Sequence, residues 1–312
     1  MFYLRFFGSF RRKKLKKVSN EKFDPVAGYA GQISLGVPFV PTPGSADQAA
    51  VVTAIQRDTG SQPFVSRYPA PTDPRESRRW IRAALTVRPP GDLPHKLTEL
   101  MDRLLQAELA NKQITDSASL PRLTGRYPVA DRVSIWNGDI AALRIGAITN
   151  AANAQMLGCF QPFHACIDNT IHSTAGPQLR EDCARIMAMQ GHDEPTGSAK
   201  ITRAYNLPTE YVIHTVGPFA PDHRPTAEQA GQLASCYSAC LTLAAEAGVR
   251  SVALCGISTG VFGYPAGQAT DIALHSVADW FEENHSALDH VVFNTYGAAM
   301  TALYGEATRI WI

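Results

Sequence analysis

Residues 138–172 read GDIAALRIGAITNAANAQMLGCFQPFHACIDNTIH, and their punctuation decides the fold. Ile145–Thr149 is a short apolar run, which predicts a buried strand. The run breaks at Asn150 and Asn153, both turn formers. Three potential metal ligands, Cys159, His164 and Cys166, then fall within eight residues. From Cys166 to His172 the chain starts a helix. A strand, a loop rich in chemistry and a helix form an α/β unit, whose ligands collect outside the carboxyl end of the strand.

The flanks repeat the pattern. Arg132–Trp136 alternates, with Val133 and Ile135 on one face, and reads as a strand ending before Gly138-Asp139. Pro177–Gln190 reads as a helix, with Pro177 at its first position and Gly191 as its stop. Ala199–Arg203 and Tyr211–Val216 read as strands, the second ending in Gly217-Pro218. Thr226 and Gln229 form a capping-box pair that opens a helix to Ala247, stopped by Gly248. Ser251–Cys255 is a strand, Pro265–Asn284 a helix and His290–Thr295 a last strand. Strands alternating with helices predict a three-layer α/β/α domain around a mostly parallel sheet, spanning 126–312.

Upstream the periodicity weakens. ESRRWIRAALTV sets Ile81 and Leu85 four apart, and Leu97, Leu100, Met101, Leu104 and Leu105 share one helical face. Residues 76–125 therefore read as a short helical extension whose two helices are too few to bury a core alone. Residues 24–75 are rich in Pro, Gly, Ser, Thr and Gln and read as a linker or loosely packed extension, with a weak helical signal at Ser45–Arg57. Together with the start of the chain they form a poorly ordered 1–75 segment in this reading. Residues 1–17 carry seven basic side chains and no acid, which fits an organellar transit peptide or a solvated basic tail.

Composition bounds the function. An apolar share of 45% suffices for a core, and a net charge of +1 gives no reason to expect nucleic acid or an anionic membrane as partner. No apolar run approaches the length of a spanning helix. Six unevenly spaced cysteines make no disulfide framework, and Cys183, Cys236, Cys240 and Cys255 sit in apolar or helical contexts. Reduced thiols point to a cytoplasmic protein, with organellar targeting left open by the basic start.

The loop GISTGVFG follows a strand and precedes a helix. Gly256, Gly260 and Gly263 let backbone N–H groups approach phosphate oxygens, Ser258 and Thr259 add hydroxyls, and Phe262 offers a face to a sugar or base. The same glycines also suit a plain turn. Asp139 is either an acceptor for an amine or ribose hydroxyl, or an ordinary turn aspartate. The amides of Asn150 and Asn153 suit ribose hydroxyls or turns. Cys159, His164 and Cys166 match the donor types of zinc, with His172 the nearest candidate for a fourth ligand. Without a fourth, the site has the open position of catalytic zinc. The competing reading is two core cysteines and a surface histidine.

Taken together, these motifs resemble the macrodomain family over about residues 76–296. GDIAALRIGAITNAANAQMLGC is similar to the adenosine-binding first part, CIDNTIHSTAGPQLREDC to the next helix, PTGSAKITRAYNLPTEYVIHTVGP to the middle strands and CGISTGVFGYP to the phosphate loop. The inserted GCFQPFHAC resembles the mark of zinc-containing macrodomains that act as protein-ADP-ribose hydrolases. The resemblance implies that the central sheet is mixed, that Asp139 accepts from the adenine amine and that the Ile140 backbone meets the same ring. It places Asn153 against the distal ribose. Cys166, Ile167, Asp168 and Asn169, with Ser258, Thr259, Gly260, Val261 and Phe262, would wrap the diphosphate and ribose. Cys159, His164 and Cys166 would hold zinc, and Asp168 would be the catalytic acid–base group. Ala141 and Thr149 depart from the family's common residues at positions without an assigned role. The implied activity is removal of mono-ADP-ribose from a modified protein, with ADP-ribose as product and a lipoyl-carrier protein as the suggested partner. A deacetylase of O-acetyl-ADP-ribose and a non-catalytic reader of ADP-ribose are the rivals.

Overall fold

The computed structural model describes residues 28–311, so the basic segment 1–17 lies outside the described residues. Seven strands form one sheet: β1 (Thr115–Asp116), β2 (Val133–Asn137), β3 (Leu143–Ala152), β4 (Ala199–Arg203), β5 (Thr209–Val216), β6 (Ser251–Leu254) and β7 (His290–Thr295). Their order is β2-β7-β6-β3-β5-β4, with the short β1 paired to the start of β3. Every pairing is parallel except β4 with β5, so the sheet is mixed and mostly parallel, as expected. Ile148 of β3 registers with Val212 of β5 and Ala253 of β6, and all three are fully buried. Such two-sided burial is why these strands are continuous apolar runs.

The covering helices are α5 (Ile167–Ala175), α6 (Pro177–Gln190), α7 (Ala227–Glu246), α8 (Ala266–Glu283) and α9 (Ala298–Arg309). α5 packs on β3 and α6 on β4, while α7 packs on β5 and against α8, which packs against α9. The capping box at Thr226 and Gln229 forms, and Gly191 ends α6 in the left-handed conformation. α9 has no counterpart in the sequence reading. β3 extends past Thr149 because its polar residues are satisfied inside: the Thr149 hydroxyl accepts the Cys255 N–H at 2.8 Å.

The N-terminal part departs most from expectation. The two anticipated helices are α3 (Pro74–Val87) and α4 (His95–Ala110); α1 (Gln48–Arg57) lies where the weak helical signal at Ser45–Arg57 stood, and α2 (Gln62–Arg67) was not anticipated. Val51, Ile55 and Phe64 join Trp80, Ile81, Leu97, Met101 and Leu104 in a hydrophobic cluster separate from that of the sheet. Tyr29, Ile33 and Leu35 are buried in the sheet's own core, where the Tyr29 hydroxyl accepts the Ile201 N–H at 2.9 Å. Residues 28–75 are thus packed rather than loose. Outside α1, where Val51 and Ile55 are buried four residues apart, proline and glycine interrupt the periodicity and weaken the repeating signal. An ion pair between Arg88 and Asp58, 2.8 Å apart with both side chains buried, locks α1 to the end of α3. Among the described residues no helix is long and apolar enough to cross a membrane.

Candidate active site

Parallel strands bring their carboxyl ends to one edge of the sheet. Asp139 follows β2, Asn153 follows β3, Gly217 follows β5 and the loop 256–263 follows β6, so they share that edge. Ser258 takes a left-handed φ of 63°, and the loop closes through bonds from Tyr264 N–H to the Ser258 carbonyl and from Ala220 N–H to the Phe262 carbonyl. A Cβ on Gly217 would stand 2.1 Å from the Ser258 hydroxyl oxygen, so the two loops touch only because residue 217 has no side chain. The N–H groups of Gly260, Val261 and Phe262 donate to no group of the described protein, and the buried Ser258 hydroxyl has no partner. This is an anion cradle in form. Phe262 meets Phe219 edge-on beside it.

Asp139 is partly exposed. One carboxylate oxygen accepts the Ala141 N–H at 3.0 Å, and the other accepts from the Lys112 ammonium at 2.8 Å. The Ile140 N–H makes no bond within the described protein. Asn153 is committed to its own turn: its oxygen accepts the N–H groups of Gln155 and Met156, and its amide donates to the Gly158 carbonyl at 2.9 Å. The residue assigned to ribose is therefore also the one that shapes the start of the cysteine loop.

Cys159, His164 and Cys166 do converge. The Cys159 sulfur is 3.3 Å from His164 Nδ1, and the three donor atoms lie within 4.8 Å of one another. Zinc bonds of about 2.0–2.3 Å put donors roughly 3.3–3.8 Å apart; the Cys159–His164 pair has that spacing, and the three donors are of the types zinc takes. His172 does not join them; its ring lies with Cys183 and His214 in a second, buried group. Burial pushes the Cys166 thiol up to about 12, with the Asn169 N–H pulling the other way, so a thiolate ligand there depends on a metal's charge. The Asn169 amide donates to the carbonyls of Gln161 and His164, lacing α5 to the loop. The loop itself is strained: Met156, Phe160 and Phe163 all have left-handed φ, each at a cost of about 1–2 kcal/mol.

Asp168 sits in the first turn of α5 with its side chain turned inward. Its Oδ1 accepts from the Asn150 amide at 2.8 Å and lies 3.4 Å from His172 Nε2. Oδ2 has no partner among the described residues. Burial raises its pKa to about 6, against the pull of Asn150 and Arg180. Asn150 also meets His214 Nδ1 at 3.1 Å, and His214 Nε2 meets the Thr202 hydroxyl at 3.0 Å. Asn150 is fully buried, so its amide holds Asp168 and His214 and is not offered to a ribose. Burial holds His214 down at about 3 and His172 well below its ordinary range, so both are neutral.

The macro domain family model matches residues 149–273. A protein-ADP-ribose hydrolase of Treponema medium is 47% identical over 236 residues, covering 76% of this chain and 89% of the relative. One from Staphylococcus aureus is 42% identical, covering 72% and 82%. The chain belongs to the macrodomain family. Among solved structures, the Trypanosoma brucei macrodomain in complex with ADP-ribose superposes with a TM-score of 0.56 at 28% identity, covering 72% of this chain and 94% of its own.

Three residues of this macrodomain's site have contacts that the sequence reading did not assign. Lys112 lies beyond α4 yet occupies the Asp139 carboxylate. Asn150 read as a turn former or a partner for a ribose hydroxyl, not as the partner of Asp168 and His214. Arg180 is buried and donates to the carbonyls of Leu157, Leu85 and Arg88 at 2.5–2.7 Å, and it covers the Phe160 ring at 4.8 Å. Its signal was available, since it stands between Leu179 and Cys183 on the buried side of α6. An arginine on such a face needs several partners.

Proposed function

We propose that this macrodomain hydrolyses the bond joining ADP-ribose to a modified protein side chain. The observation that carries the reading is the convergence of Cys159, His164 and Cys166 at the start of the helix that bears Asp168. The protein-ADP-ribose hydrolase names of relatives at 42–47% identity support it. Three donors are one short of a closed structural zinc site. Zinc held by these residues would supply Lewis-acid polarisation of an oxygen on the ribose or the linkage.

The chain's own groups do the rest. Asp139 and the Ile140 N–H receive the adenine edge, with Lys112 yielding its place on the carboxylate. The free N–H groups of residues 260–262 and the Ser258 hydroxyl receive the diphosphate. Asp168 is the general base: Oδ1 is fixed by Asn150, and Oδ2 takes a proton from the water that attacks the anomeric carbon. The bond to the protein side chain breaks as the new C–O bond forms, and the proton returns to the departing group. A carboxyl group near 6 suits proton transfer close to neutral pH. The substrate is an ADP-ribosylated protein, and a lipoyl-carrier protein is the partner that the subfamily resemblance suggests.

The test is single-turnover release of labelled ADP-ribose, run beside an O-acetyl-ADP-ribose assay, an ADP-ribose titration and a zinc measurement. Asp168→Asn keeps an acceptor for Asn150 and removes the base. It should slow release by about 10²–10⁴ while ADP-ribose binding and zinc content hold. Unchanged turnover would remove Asp168 from the mechanism. Intact binding with no turnover of any modified protein by the unaltered chain would make it a reader. Turnover of O-acetyl-ADP-ribose alone would make it a deacetylase.

A further inference from the structure

We infer that the N-terminal helical unit holds the cysteine loop in its ligating shape, with Phe163 as the positioning residue. This rests on the reading above that the loop takes zinc. Phe163 directly precedes ligand His164 and has a left-handed φ of 64°, a conformation that a bulky residue keeps only when something outside the loop fixes it. That something is α2 and α3. The Phe163 ring meets Tyr68 edge-on at 5.7 Å and Phe64 at 6.4 Å, and the Arg79 guanidinium covers it at 5.0 Å. Tyr68 is itself pinned, because its carbonyl accepts the Trp80 indole N–H at 2.8 Å. Phe64 is buried in the helical unit's own cluster.

The second left-handed aromatic is held in the same way. Phe160 directly follows ligand Cys159 and lies under Arg180, whose guanidinium is tied to the carbonyls of Leu85 and Arg88 at the end of α3. Each strained aromatic is therefore next to a ligand and capped by a cation, and each cation belongs to α3 or is bound to it. The helical unit lies outside the family-matched residues 149–273, yet it touches the ligand loop at Phe163 directly and at Phe160 through Arg180. Its role is to pay in advance the ordering of a loop that would otherwise relax and separate its three donors. Residues that support metal ligands in this way typically change metal affinity by about 10–100-fold.

The experiment uses the full chain with Phe163→Ala, the conservative Phe163→Tyr and Arg79→Gln. Zinc affinity is read by chelator competition, and site geometry by the visible absorption of the cobalt(II)-loaded protein. Amide exchange of residues 158–165 is followed with and without chelator. Phe163→Ala should lower zinc affinity by about 10–100-fold and alter the cobalt spectrum, Arg79→Gln should shift both in the same direction, and Phe163→Tyr should restore both. A zinc affinity for Phe163→Ala within twofold of the unaltered protein overturns the inference. If the unaltered chain takes no zinc, the cofactor reading fails and exchange alone decides the clamp. Faster loop exchange in Phe163→Ala then supports it, and equal exchange overturns it.

Discussion

Arg180→Met is the most informative single change to the scaffold of this site. The arginine is buried without a direct carboxylate partner, and its hydrogen bonds run to three carbonyls. Bonds from a charged donor are worth about 1.5–3 kcal/mol each, so three amount to roughly 5–9 kcal/mol. Against them stands the burial of the charge, which lowers Arg180 from 12.5 to about 10. That depression corresponds to a penalty of about 3 kcal/mol. The expected net loss is about 2–6 kcal/mol. Methionine fills much of the same space, so the deficit reports the polar groups more than a cavity. Urea unfolding at neutral pH measures it, followed by tryptophan fluorescence and by circular dichroism so that coincident transitions justify a single free energy. Trp80 reports on the helical unit, and Trp136 and Trp280 on the sheet domain. A loss under about 1 kcal/mol would mean that water replaces the guanidinium at all three carbonyls, and the argument that Arg180 binds α3 to the cysteine loop would fail.

Two further outcomes follow from the same geometry. Gly217→Ala places a methyl group 2.1 Å from the Ser258 hydroxyl, so it should displace the 256–263 loop, destabilise the protein by about 1–3 kcal/mol and weaken ADP-ribose binding at least tenfold; calorimetry showing unchanged affinity would refute the close approach. Stability should also fall as pH drops below about 6.5, because His214 and His172 take up a proton when unfolded but stay neutral when folded, His214 down to about 3. Each histidine contributes about 1.4 kcal/mol per pH unit in that window, while Asp168, raised to about 6, stabilises in the opposite sense as pH falls from 6 towards 4. His214→Gln should flatten the profile between pH 7 and 5 relative to the unaltered protein, and parallel profiles would contradict the assignment.

Much of the fold was legible because secondary structure is signalled locally. Val133 and Ile135 alternate, Thr226 and Gln229 cap, and Pro177 and Gly191 bracket a helix, all within a few residues of one another. The convergence of Cys159, His164 and Cys166 was legible for the same reason: three donors within eight residues can meet through one loop.

What only the tertiary structure decided involves partners far apart in sequence. His172 sits six residues beyond Cys166, but the turn of α5 carries it to His214 and Cys183 and away from the Cys159, His164 and Cys166 group. Asn150 reads as a loop residue until Asp168, 18 positions on, and His214, 64 positions on, meet its amide inside the sheet domain. Arg180 finds the Leu85 carbonyl across 95 positions. Residues 28–75 carry only a weak signal because Tyr29 is buried in the core of the sheet while Val51, Ile55 and Phe64 join a second cluster built largely by α3 and α4. The sequence by itself determined most strands and helices of the sheet domain and the close spacing of Cys159, His164 and Cys166, since backbone bonding and side-chain period act over one or two turns. Which polar groups are buried, and which helix supports the ligand loop, was decided by packing, because a buried charge or amide is tolerated only where distant chain supplies its hydrogen bonds.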